Sequence, residues 1–233
     1  MGATTEPTRG NGTFVRRAEP PLRVLPRGRH AAPREVVAES QRERMLVAVA
    51  EAVAEKGYAN TAVADIISRA GVSRRSFYEH FSNKEDCFLA AYDAGVSGLL
   101  EEIAAAEESA GADLVARARA GTETYLELLS DNPAFARTFL IEVLGAGPDA
   151  LARREVVHQR FAERFAKGYE RARERFPDLP EVPEHVFRAT VGAVHELVTR
   201  HLLEHDAATL PTLLDQILEV ELRLLVPFGP GRD

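Results

Sequence analysis

The segment from Thr61 to His80 constrains this chain more than any other. Thr61 is a residue type that caps helix N-termini, and Val63, Ile66, Ile67 and Ala70 then recur at the spacing of one helical face, which predicts a short amphipathic helix. Gly71 ends it by supplying the positive φ of a tight turn, Val72 is an apolar plug for the corner, and Ser73 caps a second helix. Two short helices joined by a turn containing glycine form a helix-turn-helix.

The second helix carries two populations of side chains. Phe77 and Phe81, four apart, share a face and anchor the helix, while Arg74, Arg75 and Ser76 occupy its first turn with cationic or short polar ends. A recognition helix is arranged in this way: its N-terminal residues meet base edges in the major groove, and arginine matches guanine O6 and N7 with two parallel hydrogen bonds. Arg74, Arg75 and Ser76 are the expected base or groove contacts. The competing account is a surface helix with two solvated arginines.

Three stretches, Glu-Lys-Gly-Tyr-Ala-Asn-Thr (55 to 61), Ala-Gly-Val-Ser (70 to 73) and Phe-Tyr-Glu-His-Phe-Ser-Asn-Lys-Glu (77 to 85), resemble in order and spacing the DNA-binding domain of TetR-type transcriptional regulators. The resemblance covers roughly residues 40 to 92. It implies an all-helical homodimer, a C-terminal domain that often binds a small effector, and repression as the usual mode. It also implies that Thr61, Ser73, Tyr78, His80 and Lys84 hold the phosphate backbone, which fixes register while base contacts specify. Glu79 stands where the family varies, and either acceptance from cytosine N4 or repulsion of phosphate fits it.

The formal net charge of −7 and pI near 5.6 rule out a simple basic-protein route to nucleic acid. The charge is unevenly placed. Residues 1 to 34 hold seven arginines against Glu6 and Glu19, a surplus of five, which leaves −12 for the remainder. Proline and glycine recur through residues 1 to 33, a composition that does not support a packed element, so this segment is expected to be a flexible basic arm. Within it, Pro26-Arg27-Gly28-Arg29 is similar to the Arg-Gly-Arg core of AT-hook peptides, which places Arg27 and Arg29 in a minor groove; a solvated basic tail is the other reading. A single cysteine, Cys87, fits a reducing cytoplasm and a buried structural thiol. With neither an apolar run of membrane-spanning length nor a secretory apolar core, no membrane partner is expected and the expected location is cytoplasmic.

Helical patterning continues along the whole chain. Pro33 precedes a helix whose core stripe is Leu46, Val49, Ala50 and Val53, ended by Gly57. Ser82 to Glu85 fits a capping box, which puts Lys84 in the first turn of the next helix, where a cation is electrostatically odd unless a phosphate sits there. That helix runs to about Glu108, and further helices are predicted over 113 to 130, from Pro133, over 149 to 176, 183 to 205 and 210 to 226. The expected class is all-α: a basic arm (1–33), a three-helix helix-turn-helix DNA-binding domain (34–83) and a helical ligand-binding and dimerisation domain (84–233).

In the last of these, Tyr125, Phe139, His158, Phe161 and Phe165 are candidates to line a pocket for a small apolar effector, although an aromatic stripe at helical spacing is also ordinary core. Gly192, which permits close helix approach, and the apolar stripe of Leu213, Leu214, Ile217, Leu218 and Glu221 suggest a homodimer interface, and a two-fold dimer favours a near-palindromic double-stranded DNA operator. An enzymatic alternative rests on His201 and His205, four apart and able to share a metal. It lacks the second histidine of a metalloprotease motif after His195-Glu196, since Thr199 stands there. An effector-less DNA-binding or interaction protein of the same fold stays open. The expectation is a regulator, not an enzyme, with no cofactor and no metal.

Overall fold

Glycines with left-handed backbone mark where the chain turns: Gly57, Gly71 and Gly111 have φ of 78°, 61° and 81°, values that side chains with a Cβ rarely adopt. The structure, a computed structural model, describes residues 34–225. The helices among the described residues are α1 (Arg34–Lys56), α2 (Val63–Ala70), α3 (Arg74–His80), α4 (Lys84–Ser109), α5 (Leu114–Asp131), α6 (Pro133–Leu140), α7 (Pro148–Arg175), α8 (Glu184–Glu204) and α9 (Leu214–Leu225), with 3-10 segments at Glu142–Gly145 and Ala207–Leu213. The fold is all-α, a helix-turn-helix followed by a helical body. Among the described residues no helix is long and apolar enough to cross a membrane.

Local chemistry sets the ends of these helices, in places one residue away from expectation. Thr61 does not cap α2. It is buried, and its hydroxyl faces the carbonyls of Ala52 (3.2 Å) and Gly57 (2.9 Å), while the Asp65 carboxylate accepts the Ala62 N–H at 2.8 Å and so closes the N-terminus from inside the helix. Gly71 ends α2 as expected, and the Arg44 guanidinium donates to the last carbonyl, that of Ala70, at 2.6 Å. Ser73 caps α3 by accepting the Ser76 N–H at 3.0 Å. The expected Ser82–Glu85 capping box is displaced by one position: Asn83 accepts the Asp86 N–H and Asp86 accepts the Ser82 N–H, both at 2.9 Å. Asparagine and serine cap equally well, so the pattern alone did not decide between them.

The core begins on the stripe Leu46, Val49, Ala50 and Val53 of α1, meets Ile66, Phe77, Phe81 and Phe88, and runs on without a break into Phe139, Val143, Ala150 and Val157. Phe88 packs on Phe139 at 5.2 Å between ring centroids and Tyr92 stacks on the same ring at 5.0 Å. The Thr138 hydroxyl donates to the Ala50 carbonyl at 2.7 Å. Helix α6 is thus bonded to α1 on one side and packed on α4 on another. Cys87 is buried in this core, and burial pushes its thiol up to about 12, as suits an inert structural thiol.

A second core joins Leu126, Leu129, Val198, Leu202, Leu210 and Ile217 across α5, α8 and α9. It overturns part of the interface expectation. Ile217, Leu218 and Glu221 are 0%, 5% and 3% exposed, covered by their own subunit. Leu213 and Leu214 are half-buried, and Gly192 is exposed with open space where a Cβ would stand. Residues 207 to 213, partly expected in the last helix, form the 3-10 segment that Asp206 caps through the Ala208 N–H at 2.8 Å.

Candidate nucleic-acid interface and effector cavity

Helix α3 is fixed by Phe77, which is fully buried, and by Phe81 just beyond its end, so its opposite side faces outward. There Arg74, Arg75, Tyr78 and Glu79 are exposed together. The Arg74 guanidinium lies 5.8 Å from the centre of the Tyr78 ring, and Arg75 Nε donates to Glu79 at 2.9 Å, one turn along the same helix. An exposed pair of this kind contributes a few tenths of a kcal/mol, roughly, so Arg75 can exchange Glu79 for a base edge or phosphate at little cost. Ser76 is half-buried, its hydroxyl 3.1 Å from that of Ser73, and His80 is half-buried beside Phe81.

The residues assigned to phosphate by resemblance divide. Ser73 and Tyr78 are exposed beside the arginines. Thr61 is excluded, because its one hydroxyl hydrogen is spent inside the fold. Lys84 Nζ donates to the Tyr58 carbonyl at 2.7 Å and sits 4.1 Å from the Tyr58 ring centre, so the cation in the first turn of α4 is accommodated by the chain itself. Burial lowers its pKa, and two of its three N–H donors are left for another acceptor. Arg27 and Arg29 lie outside the described residues.

In the helical body the side chains of α4 to α9 surround a cavity with an empty volume of about 740 Å³, solvent at its mouth included. Tyr125, Phe139, His158, Phe161 and Phe165 all line it. The wall is mainly apolar, with polar groups at two places. His158 and His195 meet edge to face at 4.8 Å, and burial first, then Arg154, lowers their pKa values to about 4 and 3. Farther along, the buried Thr122 hydroxyl reaches both carboxyl oxygens of Glu221, at 3.2 and 3.1 Å, and Arg164 pairs with Glu107 of α4. Burial raises the Glu221 carboxyl to about 7. Glu221, expected in a subunit interface, lines the cavity, together with Arg164 and His195, which no sequence pattern marks for it. A carboxylate within an otherwise apolar helical stripe was the available signal, since it needs a buried polar partner.

His201 and His205, the candidate metal pair, have ring centres 4.7 Å apart, and His201 Nε2 is hydrogen-bonded to the Thr209 hydroxyl at 2.8 Å. Among the described residues no group of three or more His, Cys, Asp or Glu side chains is placed to hold a metal ion.

A helix-turn-helix with an arginine-tipped second helix, carried on an all-helical body with an internal cavity, defines the class of helical DNA-binding regulators. Comparison with known proteins narrows this class for the DNA-binding part. The pattern of bacterial regulatory proteins of the tetR family matches residues 46–91. In Mycolicibacterium smegmatis, the HTH-type transcriptional regulator EthR is 32% identical over 125 residues, 53% of this chain and 56% of that protein. The HTH-type transcriptional activator FasR of the same organism is 30% identical over 91 residues, 39% of this chain and 41% of that protein. The chain therefore matches about half the length of these curated relatives. The fatty acid degradation regulator FadR of Bacillus halodurans shares the fold, with a TM-score of 0.71 at 17% identity over 82% of this chain and 97% of that one. So does the transcriptional regulator FadR of Bacillus subtilis, solved in complex with stearoyl-CoA, at 0.66 and 19% over 80% and 98%. Residues 46–91 thus carry the DNA-binding pattern of tetR-family regulators, and the helical body beyond them shares the fold of the solved regulators.

Proposed function

We propose that this protein is a cytoplasmic repressor that binds a near-palindromic DNA operator as a homodimer and is released when a small, largely apolar effector fills the cavity. One observation carries the reading: Phe139 is at once a wall of the cavity and part of the core that seats the helix-turn-helix, through Phe88 and Tyr92. A ligand that displaces this ring acts on the frame that aims α3. Helix α6 also holds α1 through Thr138, so the displacement has a second path to the DNA-binding helices. The residues of 34–83 form the DNA-reading unit, with Arg74, Arg75 and Ser76 toward the bases and Ser73, Tyr78, His80 and Lys84 toward the backbone.

The dimer surface in this reading lies on the outward sides of α8 and α9, where Gly192 and Leu203 are exposed, the latter at 63%. The inward residues Ile217, Leu218 and Glu221 take no part in it. The arm of residues 1–33, with Arg27 and Arg29, adds affinity through phosphate and minor-groove contacts. The Bacillus subtilis relative was solved with stearoyl-CoA, and a long apolar chain of that kind suits the aromatic wall of this cavity.

Selecting bound duplexes from a random pool tests the reading directly. The expected product is an inverted repeat whose half-sites lie about one or more helical turns apart. Enrichment of no sequence, or of a single asymmetric half-site, overturns it. Addition of an effector should then lower operator affinity, and a reporter behind the selected operator should rise in activity when the effector is supplied.

A further inference from the structure

The polar groups of the cavity sit at two separate places along α7. His158 and Arg164 are six residues apart, about 9 Å along a helix axis, with the aromatic wall of Phe161 between them. At the second place the hydrogen bonding of one carboxylate is left open. Glu107, Glu221, Arg164 and Arg117 gather there; Arg117 donates to the Gly111 carbonyl at 3.1 Å, and the Arg164 guanidinium is in contact with Glu107. That contact passes over Gly121, where a Cβ would lie 2.6 Å from Arg164 Nη2 and 2.7 Å from Glu107 Oε1.

Among the described residues, the Thr122 hydroxyl alone is hydrogen-bonded to Glu221. A hydroxyl offers one hydrogen and an ionised carboxylate accepts about four hydrogen bonds, so most of the acceptor capacity of a 3% exposed side chain is unfilled. No further donor reaches it among the described residues, and burial holds the carboxyl up to about 7. Phe165 lines the same end, its ring centre 5.2 Å from the Arg164 guanidinium, and Tyr125 and Phe161, which meet edge to face, line the cavity with it.

Building on the effector-regulated reading above, we propose that Glu221 and Thr122 form the head-group site of the cavity and that the site takes a protonated amine on an apolar body. The ammonium supplies the donors and the charge that Glu221 lacks, and the apolar part lies along Phe161, Tyr125 and Phe139 toward the histidines. An anionic head group meets the Glu221 carboxylate at this end and, in Arg164, a guanidinium already paired with Glu107. The buried Nε–H of Arg164 has no acceptor among the described residues and speaks for an anion, but the guanidinium it belongs to is already paired with Glu107.

The test is isothermal titration calorimetry on the full chain with octylamine, 1-octanol and octanoate, which share a chain and differ in head group. At about pH 8, where octylamine is charged and Glu221 is ionised, octylamine should bind at least about tenfold more tightly than 1-octanol, with octanoate weakest. Glu221→Gln should shrink the advantage of octylamine to less than about threefold. If that variant does not fold, the order of the three probes on the wild-type chain decides. Equal affinity for all three, octanoate binding most tightly, an amine preference that survives Glu221→Gln, or no binding by any probe overturns the proposal. A chain that selects an operator but shows one of those results loses only this assignment, whereas a chain that binds octylamine but selects no operator loses the regulator reading.

Discussion

The Glu142 carboxylate accepts the backbone N–H of Tyr58 at 3.2 Å, across 84 residues of sequence. Tyr58 closes the turn after α1, and its carbonyl is held by Lys84 and its ring by Phe88, at 4.9 Å. The turn that leads into the helix-turn-helix is therefore gripped by the 3-10 segment that follows α6, and α6 carries the cavity residues Phe135 and Phe139. Glu142→Ala should cost about 1 to 3 kcal/mol of stability by leaving an inward N–H unpaired, and should reduce the change in operator affinity on effector addition. Glu142→Gln keeps an acceptor and should be milder on both counts. Denaturant unfolding and operator titration with and without effector measure the two; a variant with wild-type values in each would make the contact incidental.

Arg75→Ala should weaken binding to the selected operator by about 1 to 3 kcal/mol and leave a scrambled duplex little affected, because base contacts carry sequence information. Glu79→Gln removes the carboxylate that holds Arg75 at 2.9 Å and should bring a modest rise in affinity for both duplexes. Lys84→Ala should weaken both duplexes alike and also lower the melting temperature, since it takes away the tie to Tyr58. Fluorescence anisotropy on the two duplexes, with thermal melts of each variant, separates these outcomes. Equal losses on operator and scrambled DNA for Arg75→Ala would contradict its assignment to base readout.

Gly95→Ala places a Cβ only 1.8 Å from the Phe135 ring, which itself packs on Phe139 at 4.6 Å. Alanine in mid-helix gains about 1 kcal/mol over glycine, but forcing an aromatic ring out of a packed position costs about 1 to 3 kcal/mol, so the net change should be destabilising. Adding Phe135→Leu relieves the clash and should restore much of the loss. A melting temperature for Gly95→Ala at or above that of the wild type would show that the ring moves freely.

Acid should destabilise the fold through the histidine pair. Burial first, then Arg154, holds His158 and His195 neutral, with values near 4 and 3 against the ordinary 6.5, while Glu155 acts the other way on His158. Histidines depressed in the folded state stabilise it above 6.5, and that contribution is lost as pH falls toward 4 and 3. Glu221 opposes them, since its raised value favours the folded state as pH drops through about 7. Melting temperatures of the wild type and of the double variant His158→Gln, His195→Gln, taken from neutral to acid pH, isolate the pair. The double variant should lose less on acidification, and identical profiles would sink the attribution.

Where the helices run was largely legible from residue pattern. The helix expected over 113 to 130 lies at Leu114–Asp131, and the one expected from Asp149 lies at Pro148–Arg175. Breakers act through their own backbone, so Gly57, Gly71 and Gly111 mark ends wherever the rest of the chain goes. The starts were less legible. Asn83 rather than Ser82 caps α4, and Asp65 rather than Thr61 closes α2, because neighbouring residues of similar capping power compete and burial chooses between them. The five aromatic and histidine residues picked for a pocket do share one cavity, yet Thr122, Arg164, Glu221 and His195 join them from four different helices, and no sequence interval links those residues.

The division follows from the reach of the forces. Turn chemistry, helical period and the exposed first turn of the second short helix depend on residues within a few positions of one another, so the amino-acid order determined the all-α class and the helix-turn-helix. Which surface an apolar stripe covers depends on partners distant in sequence. Ile217, Leu218 and Glu221 carry the same periodicity whether they meet a second subunit or their own α5 and α8, and only the packed structure turned them inward. The same holds for the lone carboxylate in that stripe: its place against Thr122 and beside the aromatic wall exists only once α5, α7 and α9 have come together.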